Sequence, residues 1–410
     1  MSFHTIDRKR VRALRCGLWS VFVLSSLLVI LVLLDRGADG GWVALALTGT
    51  LAGLAIGHRW MKDEGGVPVL TYHSISDDGG WLPWRSNVVT PETFDRHMRM
   101  LRERGLGVIR TRDLIEARQS GKTLPPRPVV VTLDDGALDN WVAALPILRR
   151  WGVPATLFVS LDFIENGNAV RPSLDDVEAG TVSRDALNWR GYLNWAEIEM
   201  IRREGLVDIQ PHGIDHGRVD TGPREVGELT PANWRKLAWV QWRAIEGPKA
   251  DWHLWEAPPV APIGTKLREN APALAAPAWR DEGGLEATEA FEARLREHLE
   301  RPARVLGQSD VFCWPENATC DTARRIACEV GYRATTAGDG ANRPGEDPRV
   351  ISRVGVGDRV IGFRWPAIEA LALWAAIRVF QGNLYWYFPL LALGLLRKAM
   401  RFTPSRLVRR

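Results

Sequence analysis

The hydrophobic pattern divides the chain into three parts. An uncharged apolar run, CGLWSVFVLSSLLVILVLL (16–34), comes first, and a second, WVALALTGTLAGLAIG (42–57), follows a short polar turn. The first is long enough to cross a bilayer, and no small-residue cleavage site comes after it, so it reads as an uncleaved span. The second, at 16 residues, sits at the short edge of a span, but its glycines suit helix packing in lipid. The stretch RKRVRALR (8–15) carries five basic side chains, and Arg59 and Lys62 follow the second run, whereas the turn holds only Arg36. Basic outer flanks on both runs predict a transmembrane helical hairpin, domain 1–63, with both ends on the cytoplasmic face. If 42–57 fails to span, the rest of the chain is exported instead.

From 64 to 362 the pattern changes to short β-rich runs alternating with amphipathic stretches. Strands are predicted at PVLTYHSI (68–75), PVVVTLD (128–134), PATLFVS (154–160), LVDIQPH (206–212), DVFCWP (310–315), YRATTA (332–337) and VISRVGV (350–356). Between them, Thr90 and Pro91 open a helix. The stretches NWAEIEMIRREG (194–205) and CDTARRIACEVG (320–331) each end in a glycine suited to a left-handed cap. Alternation of this kind implies parallel strands joined by crossover helices, and seven strands imply a barrel whose chemistry gathers at the C-terminal strand ends. Residues 218–283 break the alternation. Six prolines fall between 248 and 279, beside Trp234, Trp239, Trp242, Trp252, Trp255 and Trp279. This region reads as an insertion over the barrel mouth.

The remaining segment, 363–410, is apolar again but less cleanly. WPAIEALALWAAIRVF (365–380) contains Glu369 and Arg378, and NLYWYFPLLALGLL (383–396) is aromatic and interrupted by proline. Arg397, Lys398, Arg401, Arg406, Arg409 and Arg410 then form a tail without acidic residues. The pattern predicts helices lying in the membrane interface and contacting lipid headgroups, with an apolar helix packed on the protein's own core as the alternative.

Composition adds three limits. A net charge of +4 in 410 residues does not describe a nucleic-acid binder. Four cysteines without paired spacing make neither a disulfide framework nor a zinc knuckle. The 19 Trp against 5 Tyr suit membrane interfaces and sugar-stacking surfaces alike.

The candidate chemistry lies at two predicted strand ends. Asp134 and Asp135 close VVVTLDD, and adjacent carboxylates there need positive charge opposite them. PHGIDHG closes another strand, with His212 and His216 four apart around Gly213. Either histidine alone would read as a polar core residue. Together with one carboxylate they form a two-His, one-carboxylate set suited to a divalent ion, leaving the second carboxylate free as a general base.

TLDDG (132–136) resembles the TFDDG motif of the polysaccharide deacetylases, the NodB-homology family also called carbohydrate esterase family 4. HGIDH (212–216) resembles that family's H-[ST]-x-x-H metal motif. TYHSI (71–75), VTPETFDRHMRMLRERG and LNWAEIEMIRREG resemble the branch that includes poly-N-acetylglucosamine deacetylases. FCWPENATCDTARRIACEVGYRATTA resembles that branch's F-x-[YW]-P-x-G segment. The resemblance implies a distorted (β/α)7 barrel and removal of an N-acetyl group from an amino sugar. It makes Asp134 the catalytic base and Asp135, His212 and His216 the ligands of a divalent ion, zinc first, with cobalt, nickel and iron(II) as alternatives. Trp314 and Pro315 would line the sugar pocket, core packing being the alternative for Trp314.

Two departures stand out. The arginine that orients the base in many members is missing from the third motif, where Cys313 and Trp314 precede Pro315 and Glu316-Asn317 replace an aromatic-Gly pair. A late Leu-x-His is also missing, the last histidine being His298. The proton donor therefore falls to His73 at the end of the first strand, with a structural hydrogen bond as its other reading. Asp215 either orients a ligand histidine or faces solvent.

The expected protein is a hydrolase of carbon–nitrogen bonds at a bacterial inner membrane, its barrel on the cytoplasmic side. Its partners would be membrane lipids and an N-acylated amino sugar, either lipid-linked or in an exopolysaccharide. The alternatives are a catalytically degenerate, membrane-tethered saccharide-binding protein and an iron-dependent oxygenase, which would leave Asp134 without a role. Sugar, acyl group, native ion and oligomeric state are not legible.

Overall fold

The computed structural model describes residues 3–78, 81–281, 283–307 and 310–401. The basic positions Arg406, Arg409 and Arg410 lie outside them. The chain divides into two compact units: Pro68–Asp358, and a unit made of both chain ends, Met1–Val67 with Arg359–Arg410.

The central unit is built on seven parallel strands: β1 (Val69–Tyr72), β2 (Pro128–Leu133), β3 (Ala155–Val159), β4 (Val207–Pro211), β5 (Val311–Phe312), β6 (Ala334–Gly338) and β7 (Val350–Ser352, resuming as Val354–Gly355). Neighbours β1 to β4 pair in sequence order, with Leu70 opposite Val131, Thr132 opposite Thr156 and Leu157 opposite Ile209. Between β4 and β5 the ladder is lost, and among the described residues Cys313 N–H bonds to the Pro211 carbonyl at 3.0 Å and Val311 N–H to Gln210 Oε1 at 3.3 Å. Pairing then resumes from β5 to β6 and β7, and Val354 returns to Leu70 on β1. The seven strands therefore close into a distorted (β/α)7 barrel, loosest between β4 and β5. Val129, Val130, Val131 and the whole of β3 are buried, as strands covered on both faces require.

The helices begin and end where local chemistry dictates. Thr90 caps the helix Pro91–Glu103 through its side chain. The backbone N–H groups of Asn194 and Glu197 each donate to the other's side-chain oxygen at 3.0 Å at the start of Trp195–Glu204, which stops at Gly205 with φ 71°. Gly331 ends Asp321–Val330 in the same way, at φ 108°.

The insertion is an antiparallel hairpin, Arg218–Glu228 against Lys266–Pro272, carrying short helices at Trp239–Trp242 and Ala250–Leu254. Most of its indoles pack rather than project. Trp234, Trp239, Trp242 and Trp252 are buried with Trp81, Phe163 and Tyr192, and Trp252 Nε1 donates to the Tyr192 hydroxyl at 2.8 Å. Each buried indole removes roughly 200 Å² from water, worth at most about 5 kcal/mol, which seats the insertion firmly.

In the other unit, helices α1 (Phe3–Asp35) and α2 (Gly40–Trp60) both contain stretches long and apolar enough to cross a membrane, Arg10–Asp35 and Gly40–Trp60. The second is longer than its apolar run because Asp39 caps it, accepting from Gly41 N at 2.7 Å. Small residues set their contact. A Cβ on Gly53 would stand 2.1 Å from the Phe22 ring, and one on Gly57 2.1 Å from Trp19. The C-terminal helices Pro366–Phe380 and Tyr387–Arg401 belong to this unit rather than forming a separate segment. Asp63 N–H donates to the Gly382 carbonyl at 2.8 Å, Leu384 N–H to Met61 at 3.0 Å, and Tyr385 stacks on His58. Glu369 is buried and accepts from Val360 N at 3.0 Å, which accounts for a carboxylate in so apolar a helix.

Gly57→Leu should force Trp19 out of its seat and lower the midpoint of tryptophan-monitored thermal unfolding in detergent by several degrees. Gly49→Leu, which meets nothing within 4 Å, should leave it unchanged.

Candidate metal and catalytic site

The site forms where β2 and β4 end. After Leu133 the chain makes an abrupt turn: Asp135 has φ 76° and Gly136 φ 75°. A left-handed aspartate costs on the order of 1 kcal/mol, and here it swings one carboxylate away from its neighbour toward β4. Gly136 has little room for a side chain, since a Cβ would lie 3.0 Å from Val159.

Asp135 Oδ1 stands 3.3 Å from His212 Nε2 and 3.0 Å from His216 Nε2. The approach lacks hydrogen-bond geometry: Asp135 Oδ1 and His216 Nε2 are buried and make no hydrogen bond among the described residues. One donor atom from each of the three residues lies within 4.8 Å of the others. His212 N–H bonds to Val159 O at 2.9 Å, and its ring Nδ1 bonds to the Cys313 carbonyl at 2.8 Å. As donor in that ring bond, Nδ1 carries a proton, so Nε2 is the ring nitrogen turned to Asp135 and open to a cation. Burial works to raise the Asp135 carboxyl, but His216 and His212 more than offset it and hold it well below the usual carboxylate range. Three converging donors, two of them buried and unsatisfied, fit a divalent cation.

Asp134 has a different partner. Arg353 Nη1 lies 2.8 and 2.7 Å from its two oxygens, and both side chains are buried. Burial would raise this carboxyl; Arg353, followed by His212 and His73, brings it below its ordinary value. Arg353 occupies the break between the two halves of β7. It supplies the guanidinium that the third motif lacks. One signal was available, a lone arginine in the otherwise apolar VISRVGV strand, because a buried charge must be paired.

His73 also borders this cleft, and the second half of the TLDDGALDN stretch holds its backbone. Asn140 Nδ2 donates to the His73 carbonyl at 2.8 Å, while Ser74 Oγ and Ile75 N donate to Asp139 at 2.5 and 2.9 Å. Burial pushes the Asp139 carboxyl up to about 6 despite these bonds. His298 does not border the cleft, and burial pushes its ring down.

Two expectations require correction. Trp314 does not reach the cleft: it is fully buried against Phe312, with ring centroids 4.6 Å apart, in a cluster with Phe291 and Leu295, and Pro315 beside it is buried too. The cleft is lined instead by the next two residues, Glu316 and Asn317, both at positive φ (54° and 55°). Asp215 makes no bond to either histidine ring and does not face solvent; its Oδ2 lies 3.2 Å from the buried Lys249 Nζ.

The cleft encloses about 780 Å³. Asp134, Asp135, His73, His212, His216 and Arg353 form its floor, and the insertion contributes Arg218, Val226, Lys236, Trp239 and Trp242. Arg218 pairs with Glu316 and donates to Asn270 Oδ1 at 2.7 Å.

The sequence matches the polysaccharide deacetylase family over residues 121–241. The Bacillus subtilis (strain 168) protein YxkH, named as a polysaccharide deacetylase, is 31% identical over 102 residues, 24% of this chain and 34% of that protein. The poly-beta-1,6-N-acetyl-D-glucosamine N-deacetylase of Escherichia coli (strain K12) is 26% identical over 148 residues, 36% of this chain and 20% of that protein. The chain thus spans about a third and a fifth of the length of these relatives. Among solved structures, a de-N-acetylase from Aggregatibacter actinomycetemcomitans aligns over 70% of this chain and 94% of its own, at 20% identity and a TM-score of 0.48. IcaB from Ammonifex degensii aligns over 75% and 97%, at 18% identity and a TM-score of 0.47. The family match, together with TLDDG and HGIDH meeting at one barrel mouth, identifies a polysaccharide deacetylase domain of the NodB type in this chain.

Proposed function

We propose that the protein is a metal-dependent de-N-acylase of an amino sugar, working at a membrane. The observation that carries this reading is the division of labour between adjacent aspartates: Asp135 faces two imidazoles, while Asp134 faces a guanidinium. Asp135, His212 and His216 would hold the ion, zinc being the best match to two imidazoles and one carboxylate. When bound, such an ion supplies Lewis acidity, polarising the amide carbonyl and making water easier to deprotonate.

The chain's own groups do the rest. Asp134, kept ionised by Arg353, accepts the proton of the attacking water. Arg353 fixes the carboxylate in orientation and charge. His73, which follows β1 beside the aspartates, donates a proton to the departing amine. Trp239 and Trp242, largely buried, border the cleft and give it an apolar wall against which a sugar ring can lie.

The two apolar N-terminal helices support a membrane anchor, and the basic flanks favour an inner-membrane hairpin with the barrel in the cytoplasm. On that side a sugar on a lipid carrier is the natural substrate; on the other, an exported polymer such as the one named for the Escherichia coli relative.

Full-length protein in detergent, supplied with Zn²⁺, should release primary amine from N-acetylglucosamine oligomers or a lipid-linked N-acetyl sugar. No amine from either substrate would overturn the proposal. Asp134→Asn should retain the ion by elemental analysis and lose about 10²–10⁴ in rate, whereas His212→Ala should lose both; equal metal loss in the two variants would refute the division. Arg353→Gln removes the cation that holds Asp134 low, so the acid limb of the kcat profile should move to higher pH; an unmoved limb would exclude Arg353 from this role. A phosphatase reporter fused after residue 63 should be inactive if the hairpin reading holds, and periplasmic activity would place the barrel outside.

A further inference from the structure

We propose that Lys249, supplied by the insertion, is a positioning residue for the second histidine ligand; this rests on the metal-site reading above. The two histidines are not held alike. His212 is fixed through its ring by the Cys313 carbonyl. The His216 ring makes no such bond among the described residues, and it follows a turn that begins at Gly213 with φ 83°. What secures that turn is its neighbour. Asp215 accepts from Gly217 N at 2.8 Å through one oxygen and meets Lys249 Nζ at 3.2 Å through the other.

Lys249 is itself tied to the barrel. Its Nζ lies 2.6 Å from Asp162 Oδ2, and its backbone N–H donates to the Asp162 carbonyl at 2.6 Å. Asp162 follows β3, and the N–H groups of Leu161 and Asp162 donate to Gly213 and Ile214, at 3.1 and 2.8 Å. One buried ammonium (the residue is 3% exposed) therefore bridges a carboxylate after β3 to the carboxylate beside His216. Without it, two carboxylates would face each other across the turn, with Arg301, 3.9 Å from Asp162, and the buried His298 as their neighbours. Opposing charge would push the Asp215 end outward, and His216 with it. The insertion on this account is part of the metal site and not only a wall of the cleft.

The test is Zn²⁺ affinity of the full chain in detergent, measured by competition with a chromophoric chelator, with circular dichroism and tryptophan emission confirming the fold. Lys249→Gln should weaken Zn²⁺ binding about tenfold or more, and Lys249→Arg should recover most of it. Asp215→Asn leaves the Lys249–Asp162 pair intact, so it tests the idea even if Lys249→Gln does not fold. It should cause a similar loss, and the double variant should be no worse than either single one. Wild-type affinity in Asp215→Asn would overturn the inference. Wild-type affinity in His216→Ala would instead sink the ligand assignment on which it rests.

Discussion

Two carboxylates on consecutive residues at a buried strand end repel each other, and the architecture around them exists to keep both ionised. The left-handed turn at Asp135 sends the two side chains in different directions. One meets a permanent cation, Arg353; the other meets a pair of imidazoles whose remaining need is a positive ion. Closure of the barrel is what brings these partners together. Arg353 comes from the last strand, the histidines from the fourth and the aspartates from the second, so the charge balance is complete only when the ring is complete.

Much of this was legible in the sequence, for a physical reason. Parallel barrel strands covered on both faces must be apolar runs, and all seven predicted runs contain an observed strand. The candidate metal donors stand out in the sequence because an imidazole pair and adjacent aspartates at strand ends need a partner charge. Arg353 is not legible by motif, because it lies on the last strand, far in sequence from the segment around Pro315. Three-dimensional neighbourhood, not sequence neighbourhood, decides which strand supplies the charge. Trp314 misled for the opposite reason. An indole beside the site suits sugar stacking, but a side chain at a barrel strand end can turn inward or outward, and Phe312, Phe291 and Leu295 offered this one a dry pocket.

The insertion shows how composition can be read correctly and still mislead about purpose. Of its tryptophans, Trp239 and Trp242 border the cleft. Trp252 and Trp234 act chiefly as ballast that seats the hairpin, while Trp239 and Trp242 present part of their surface to the cleft. Its one buried ammonium left no trace in any pattern, since a single lysine among polar residues carries no periodic signal.

The unit built from both chain ends has a temporal consequence. Helices α1 and α2 emerge from the ribosome before the barrel, yet the segments that complete their unit, 366–380 and 384–401, come only after the whole of Pro68–Asp358. At about 5–20 residues per second, nearly 300 intervening residues impose a wait on the order of 15–60 s. Through that interval α1 and α2 must hold together on their own contact, glycine against aromatic ring. The terminal helices then act as a late latch, so a ribosome that stalls inside the barrel leaves the chain's first unit unfinished as well as its last.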